Sequence, residues 1–498
     1  MSEVLPKTSM PDPNTSNSNI RWYGLVGGPL LALLMFALVP EQIIQPSGES
    51  LTLGMAGKVT AGLAIWMAVW WLTEAISIYA TALLPLAVLP LTGAQSVKDA
   101  AGAYAHPLIF LFLGGFMLAL ALERWHLHKR FALFVLRLVG TSPRRLVGGF
   151  MISAAVMSMW ITNTATTIVM LPIALSVIAM ESDDSPHKQR FAICLMLGIA
   201  YAASIGGIGT IVGTTPNMFA VSFIENELGQ TISFAEWMLI GVPLVVVFIP
   251  ICWLLLTRFI FRLPATSADS DYNLNTRAEP WNRGSVLTLM IFALTAFGWM
   301  ARPLLVKLPA LTHLSDAGIA IGAALLLFAI PENIKEKRFL LDWETAVKVP
   351  WGVLLILGGG LCLAGAIGAN GVAELLAIQL VAIGEVPPLV MTLMIVGLMI
   401  FLTELTSNVA TTTALIPIVA AIATALGIEP LKLVIPATMA ASCAFMLPAA
   451  TPPNAIVFGS GIIRIPTMAR AGIWLNFAAI LTVTVVCHFM LDFALARL

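Results

Sequence analysis

Two stretches place several hydroxyls and one amide inside otherwise apolar sequence: "ITNTATTIVMLPI" at residues 161–173 and "TSNVATTTALIPI" at 406–418. They align on Asn163 and Asn408. Thr162 then matches Ser407, Thr166 and Thr167 match Thr411 and Thr412, and Pro172 matches Pro417. Each is followed by a second motif, "GTTPN" at 213–217 and "ATPPN" at 450–454, with 54 and 46 residues between the first and second Asn. Neutral oxygens and freed carbonyls suit a hard monovalent cation. Amides, hydroxyls and exposed backbone N–H groups suit an anion. No Lys or Arg lies within nine residues of any of the four motifs. A carboxylate-bearing ligand would therefore have no neighbouring side-chain counter-charge along the chain. Because an unpaired charge is costly away from water, bound sodium beside the anion is the economical solution.

The elements that must carry these motifs are membrane helices. The chain has 498 residues, 59% of them hydrophobic and only 10% charged, and its mean hydropathy is +0.94. A soluble domain carries about 25% charged residues. Long apolar runs recur along the whole length, and each is a candidate span. They are solid rather than alternating, which excludes a barrel. Net charge is zero, so nothing attracts nucleic acid, and the five Cys show no CxxC and read as small buried hydrophobes.

Spans are expected near 23–40, 59–77, 79–93, 105–138, 190–223, 234–262, 284–305, 313–331, 347–382, 431–463 and 470–496. Hairpins of two half-depth helices are expected at 146–180 and 387–424, because 35–38 residues are too few for two full spans and a turn. Pro and Gly at the second motifs should break the helices near 213 and 450. With the N-terminus cytoplasmic and the C-terminus outside, 20 of the 26 Lys and Arg fall on the inside, as the positive-inside rule requires. That layout needs eleven crossings plus two hairpins re-entering from opposite sides. Paired interrupted segments in two inverted halves point to a transporter site at the bilayer midplane.

The paired [ST]-N-[TV]-A-T tips, each followed by a T-[TP]-P-N break, together with "WWLTEAISIYATALLPL" at 70–86, resemble the divalent anion/sodium symporter family. The resemblance covers nearly the whole chain after residue 20. It implies an all-α polytopic fold of eleven transmembrane helices and two re-entrant hairpins. It also implies a homodimer whose protomers have scaffold and elevator-type transport domains. On that plan residues 1–20 are a disordered cytoplasmic tail, 21–140 and 284–382 scaffold, 141–262 and 383–498 transport domain, and 263–283 a cytoplasmic linker. The resemblance further implies one sodium site from Ser158, Thr162, Asn163 and the Gly213 carbonyl, and a second from Thr403, Thr406, Asn408 and the Ala450 carbonyl. Substrate carboxylates would lie near Thr162, Asn163, Thr164, Thr214, Ser407, Asn408, Val409, Thr451 and Pro452. Val409 stands where many relatives place Thr and has no side-chain donor.

The expected activity is sodium-driven uptake of small dianions, most of all C4-dicarboxylates, across a bacterial inner membrane, with sodium, lipid and the dianion as partners. A sodium-independent exchanger and a citrate or sulfate carrier are the alternatives within the family. An intramembrane enzyme is disfavoured, since the chain has no HExxH, GxSxG or clustered Asp pair. Glu74 and Glu404, the acids nearest apolar segments, are assigned structural hydrogen-bonding roles.

Overall fold

A computed structural model describes residues 14–44, 50–139, 142–180, 187–264, 280–372, 375 and 387–495. The expected disordered tail and the linker at 263–283 fall largely outside these residues, as does the end of the 347–382 span. Ten helices among the described residues are long and apolar enough to cross a membrane. Several shorter apolar helices accompany them, and the chain is a polytopic α-helical membrane protein.

The first half opens with α1 (Asn14–Leu38), α2 (Gly54–Thr73), α3 (Ile78–Thr81), α4 (Leu84–Leu91), α5 (Val97–Ala103) and α6 (Pro107–Arg124). The short helix α7 (Leu127–Val139) follows, then α8 (Pro143–Ser158), α9 (Asn163–Ala179), α10 (Lys188–Gly207), α11 (Thr215–Glu227) and α12 (Phe234–Leu254). The second half contains α13 (Arg283–Leu305), α14 (Asp316–Ala329), α15 (Trp343–Ala346), α16 (Trp351–Ala369), α17 (Pro388–Leu405), α18 (Asn408–Ala425), α19 (Leu431–Ala441), α20 (Pro452–Gly459) and α21 (Ile465–Leu495). Two small antiparallel hairpins, Gln42–Ile44 with Ser50–Thr52 and Pro331–Asn333 with Arg338–Phe339, sit in connections and were not anticipated.

Several expectations need correction. The run at 105–138 is not one span: α6 ends at Arg124, and His126 takes a left-handed φ of 53°. The turn is anchored by Trp125, whose Nε1 donates to the Leu340 carbonyl at 2.9 Å, and by the Arg124–Asp342 ion pair. Beyond it α7 exposes Phe134 and Leu138 alongside Lys129 and Arg137, a composition that suits a helix lying in the interface. The span expected at 79–93 is likewise split into α3 and α4. The arms of the two hairpins are longer than half-depth, with 16 and 17 residues in α8 and α9 and 18 each in α17 and α18. At 1.5 Å per residue each reaches roughly 25 Å. The connections at the tips take so few residues that the arms absorb the rest.

Both breaks are present where the second motifs stand. Helical structure stops at Gly207 and resumes at Thr215, and stops at Ala441 and resumes at Pro452. Each packed cluster draws on both halves of the chain. Helix α6 lies against α14, and α16 against α2, α4 and α5; α10 lies against α8, α12 against α21, and α20 against α9 and α10. The α6–α14 contact depends on Gly114: a Cβ there would meet the Ala320 carbonyl carbon at 2.6 Å. Close backbone approach through small residues is how helices associate where the surroundings are themselves apolar. Gly114→Val should therefore separate α6 from α14 and destabilise the protein by about 1–3 kcal/mol, read as a lowered unfolding temperature in detergent.

Candidate functional site

Four helix starts meet on one cavity of about 730 Å³. They are the N-termini of α9 at Asn163, α11 at Thr215, α18 at Asn408 and α20 at Pro452. All nine residues assigned to substrate line its wall: Thr162, Asn163, Thr164, Thr214, Ser407, Asn408, Val409, Thr451 and Pro452. So do Gly213 and Ala450. Ser158 and Thr403 are buried behind the tips, and Thr406 is outside the lining.

The tip hydroxyls have a local job. Thr162 Oγ1 accepts the Ala165 N–H at 3.2 Å, Ser407 Oγ the Ala410 N–H at 3.5 Å, and Thr451 Oγ1 the Asn454 N–H at 3.3 Å. These are N-caps. Each cap satisfies one of the orphan donors at a helix start and leaves others free. At the tips of α9 and α18 the N–H groups of Asn163, Thr164, Asn408 and Val409 have no backbone acceptor among the described residues. Together with the positive ends of the helix dipoles they make an anion cradle without a basic side chain. Val409 lacks a side-chain donor, yet its backbone N–H is among the free ones.

Behind each tip lies a nest of oxygens. The Asn163 amide atom nearest Ser158 stands 2.5 Å from Ser158 Oγ, 3.2 Å from the Ala203 carbonyl and 3.3 Å from the Gly213 carbonyl. With Oδ1 turned inward, three oxygens lie within 3.3 Å of a fourth, a donor set for a hard monovalent cation. With the amide turned over, Nδ2 bonds the same three atoms. In the second half Thr403 Oγ1 lies 2.8 Å from Asn408 Oδ1 and 3.0 Å from the Ala441 carbonyl. The repeat thus matches Ser158 with Thr403, and the Ala441 carbonyl takes the place of that of Ala203 one position further along. The Thr406 hydroxyl is engaged elsewhere, with the Leu402 carbonyl at 3.0 Å and Thr411 Oγ1 at 2.5 Å. The Ala203 and Ala441 carbonyls escaped sequence reasoning, since any residue type supplies a carbonyl.

The breaks are held open by side chains. Asn217 Nδ2 donates to the carbonyls of Gly207 at 3.0 Å and Thr210 at 2.8 Å, and Asn454 Nδ2 to those of Ala444 and Leu447, both at 3.1 Å. The second Asn of each repeat is therefore a staple for unwound backbone. Glu404 has the structural role expected of it. Its carboxylate accepts N–H bonds from Phe445 at 2.6 Å, Met446 at 2.9 and 3.0 Å and Leu447 at 3.2 Å, and from Asn476 Nδ2 at 2.9 Å. Glu74 instead caps α2 with a left-handed φ of 47° and pairs with Arg21 at 3.5 Å. One further charge was not foreseen. Lys348, from the turn between α15 and α16, lines the same cavity. The cavity therefore does contain a fixed positive group, contributed by a segment far from the tips in sequence.

Spanning helices, two repeated tip-and-break units and a central cavity built of helix starts define a membrane carrier. The chain belongs to the sodium:sulfate symporter family, whose transmembrane region matches residues 29–492. A sodium-dependent dicarboxylate transporter, SdcS, of Staphylococcus saprophyticus is 41% identical over 480 residues, covering 94% of this chain and 91% of its own length. The protein of the same name in Staphylococcus aureus is 39% identical over 485 residues, covering 95% and 91%. Among solved structures, the YdaH transporter of Alcanivorax borkumensis superposes with a TM-score of 0.61 at 16% identity, covering 96% of this chain and 98% of its own. MtrF of Neisseria gonorrhoeae gives 0.57 at 13%, covering 96% and 95%. At those identities the two structures speak for the fold alone.

Gly207 tests the first oxygen nest. A Cβ there would lie 2.5 Å from Asn163 Oδ1 and 3.1 Å from the Gly213 carbonyl, whereas one on Gly459 would meet nothing within 4 Å. Gly207→Ala should abolish the rise in unfolding temperature that sodium produces in detergent, and Gly459→Ala should leave it intact.

Proposed function

We propose that the protein carries small dicarboxylates, C4 acids foremost, into a bacterial cell together with sodium. The observation that carries this reading is the pairing of two oxygen nests with free helix N-termini on one cavity. The sodium-dependent dicarboxylate transport for which the staphylococcal relatives are named supports it. Sodium in the nest of Ser158, Thr162, Asn163 and Gly213, and in that of Thr403, Asn408, Ala441 and Ala450, places positive charge behind each tip. The dianion then sits between the tips on the N–H groups of Asn163, Thr164, Asn408 and Val409. Two sodium ions neutralise it. A third makes each cycle carry net charge, worth about 2.3 kcal/mol per 100 mV.

In this reading the protein is a homodimer in the inner membrane, with the N-terminus cytoplasmic and the C-terminus outside. Helices α8–α12 and α17–α21 form a transport domain that slides against a scaffold of the remaining spans, and both hairpins re-enter from the face they left. The cavity wall includes Glu74, Glu123 and Lys348 at the ends of helices assigned to the cytoplasmic side, so this conformation faces inward.

Uptake by proteoliposomes of succinate, malate, fumarate, citrate and sulfate, with and without a sodium gradient, tests the proposal. Sodium-driven accumulation of the four-carbon acids is expected, and equal uptake in choline medium would refute it. Asn163→Ala and Asn408→Ala should each abolish uptake in protein that still elutes as a folded dimer. Wild-type sodium affinity in either variant would contradict the nest it belongs to. Val409→Thr should alter the order of preference among the acids more than the sodium dependence, because it adds a side-chain donor beside an N–H already in use.

A further inference from the structure

The cavity is far larger than a four-carbon dianion, and its wall carries charged side chains as well as the four helix starts. Three charged side chains line it: Glu74, Glu123 and Lys348. The Glu74 carboxylate is paired with Arg21 at 3.5 Å. Neither Glu123 nor Lys348 has an ion-pair partner among the described residues, and both are exposed.

The backbone that carries Lys348 is fixed. Its N–H donates to the Thr345 carbonyl at 3.1 Å, and the next N–H, of Val349, to Ala346 at 3.0 Å. Asp342 caps α15 through the Thr345 N–H at 2.8 Å. The same Asp342 is tied to Arg124 at the end of α6, which also reaches Thr345 Oγ1 at 3.1 Å. The lysine is thus mounted on the α6–α15–α16 cluster, while all four helix starts that form the cradle belong to other elements. Its four-carbon stem is flexible and its ammonium is a compact hydrated charge, suited to brief contacts rather than a rigid clasp.

We propose that Lys348 forms a second, weaker anion subsite at the mouth of the cavity, through which a dicarboxylate passes between the helix tips and the cytoplasm. The inference rests on the transport reading given above. A dianion leaving the tips as sodium departs loses its compensating charge just where the cavity is still walled by protein. A single cation on the wall lowers that cost, and the confined geometry focuses its field along the path. Glu123, on the same wall, opposes it for the anion and favours the departing sodium. The lysine belongs to the cytoplasmic mouth, so its effect is confined to one side of the transport cycle.

The test is the apparent KM for succinate measured separately from each membrane face, in right-side-out and inside-out proteoliposomes of wild type, Lys348→Gln, Lys348→Glu, Lys348→Arg and Glu123→Gln. From the cytoplasmic face Lys348→Gln should raise KM about three- to tenfold. Lys348→Glu should raise it further, Lys348→Arg should stay near wild type, and Glu123→Gln should lower it. The difference between wild type and Lys348→Gln should shrink as choline chloride is raised from low to molar concentration, because salt screens an exposed charge. From the external face all five proteins should agree within about twofold. An equal change at both faces, no change at the cytoplasmic face, or an arginine variant as impaired as the glutamine variant would overturn the subsite. Wild-type protein that moves no succinate with sodium would instead refute the transport reading itself.

Discussion

On the proposed reading, a doubly charged acid has to be held between helix tips that carry no basic side chain. The surroundings are apolar helices, and there an unpaired charge costs several kcal/mol or more. The remaining source of positive potential is the backbone, which offers it only where helices begin. The architecture follows from that constraint. A helix that ran through the membrane uninterrupted would present its starts at the two surfaces. Helices that stop and restart present them at the cavity.

Stopping a helix inside a membrane frees carbonyl and N–H groups that must find partners. The two halves of this chain solve the problem with the same outline and different details. In both, an Asn two or three residues into the restarting helix staples the carbonyls of the unwound segment. In the first half, Thr210 Oγ1 contacts the Met159 carbonyl at 2.5 Å and Trp237 Nε1 bonds the Ile208 carbonyl at 3.0 Å. In the second half Glu404, which the repeat aligns with Met159, takes up three consecutive N–H groups of residues 445–447. A carboxylate with four donors around it is tolerated where a bare one would not be. The second half is thereby the one that places a carboxyl group beside its oxygen nest.

The tip residues serve two ends at once. Thr162, Ser407 and Thr451 cap their own helices, a task that Ser or Thr performs in any helix. Yet by capping they leave the two N–H groups nearest each hairpin tip free for a ligand. The same economy explains why Val409 is compatible with an anion cradle. What faces the ligand there includes main chain, whose donor survives the replacement of a hydroxyl by a methyl.

Much of this was legible in one dimension. The solid apolar runs required membrane helices, because backbone polar groups in lipid must be satisfied within the segment. The doubled Asn-containing motif and its trailing Pro-Asn announced two tips and two breaks, because a Pro that lacks its N–H is best accommodated in the first turn of a helix. Those properties belong to a residue and its near neighbours, and they can be read from order alone. Other features needed the folded chain. The split between α6 and α7 depends on Trp125 and Arg124 meeting residues 340–345. The oxygen nests depend on the Ala203 and Ala441 carbonyls, which carry no signature in sequence. The staple of Glu404 on residues 445–447 and the arrival of Lys348 at the cavity wall join segments tens to hundreds of residues apart. Such contacts are set by how helices pack against one another, and packing is a property of the whole surface each helix presents rather than of any motif within it.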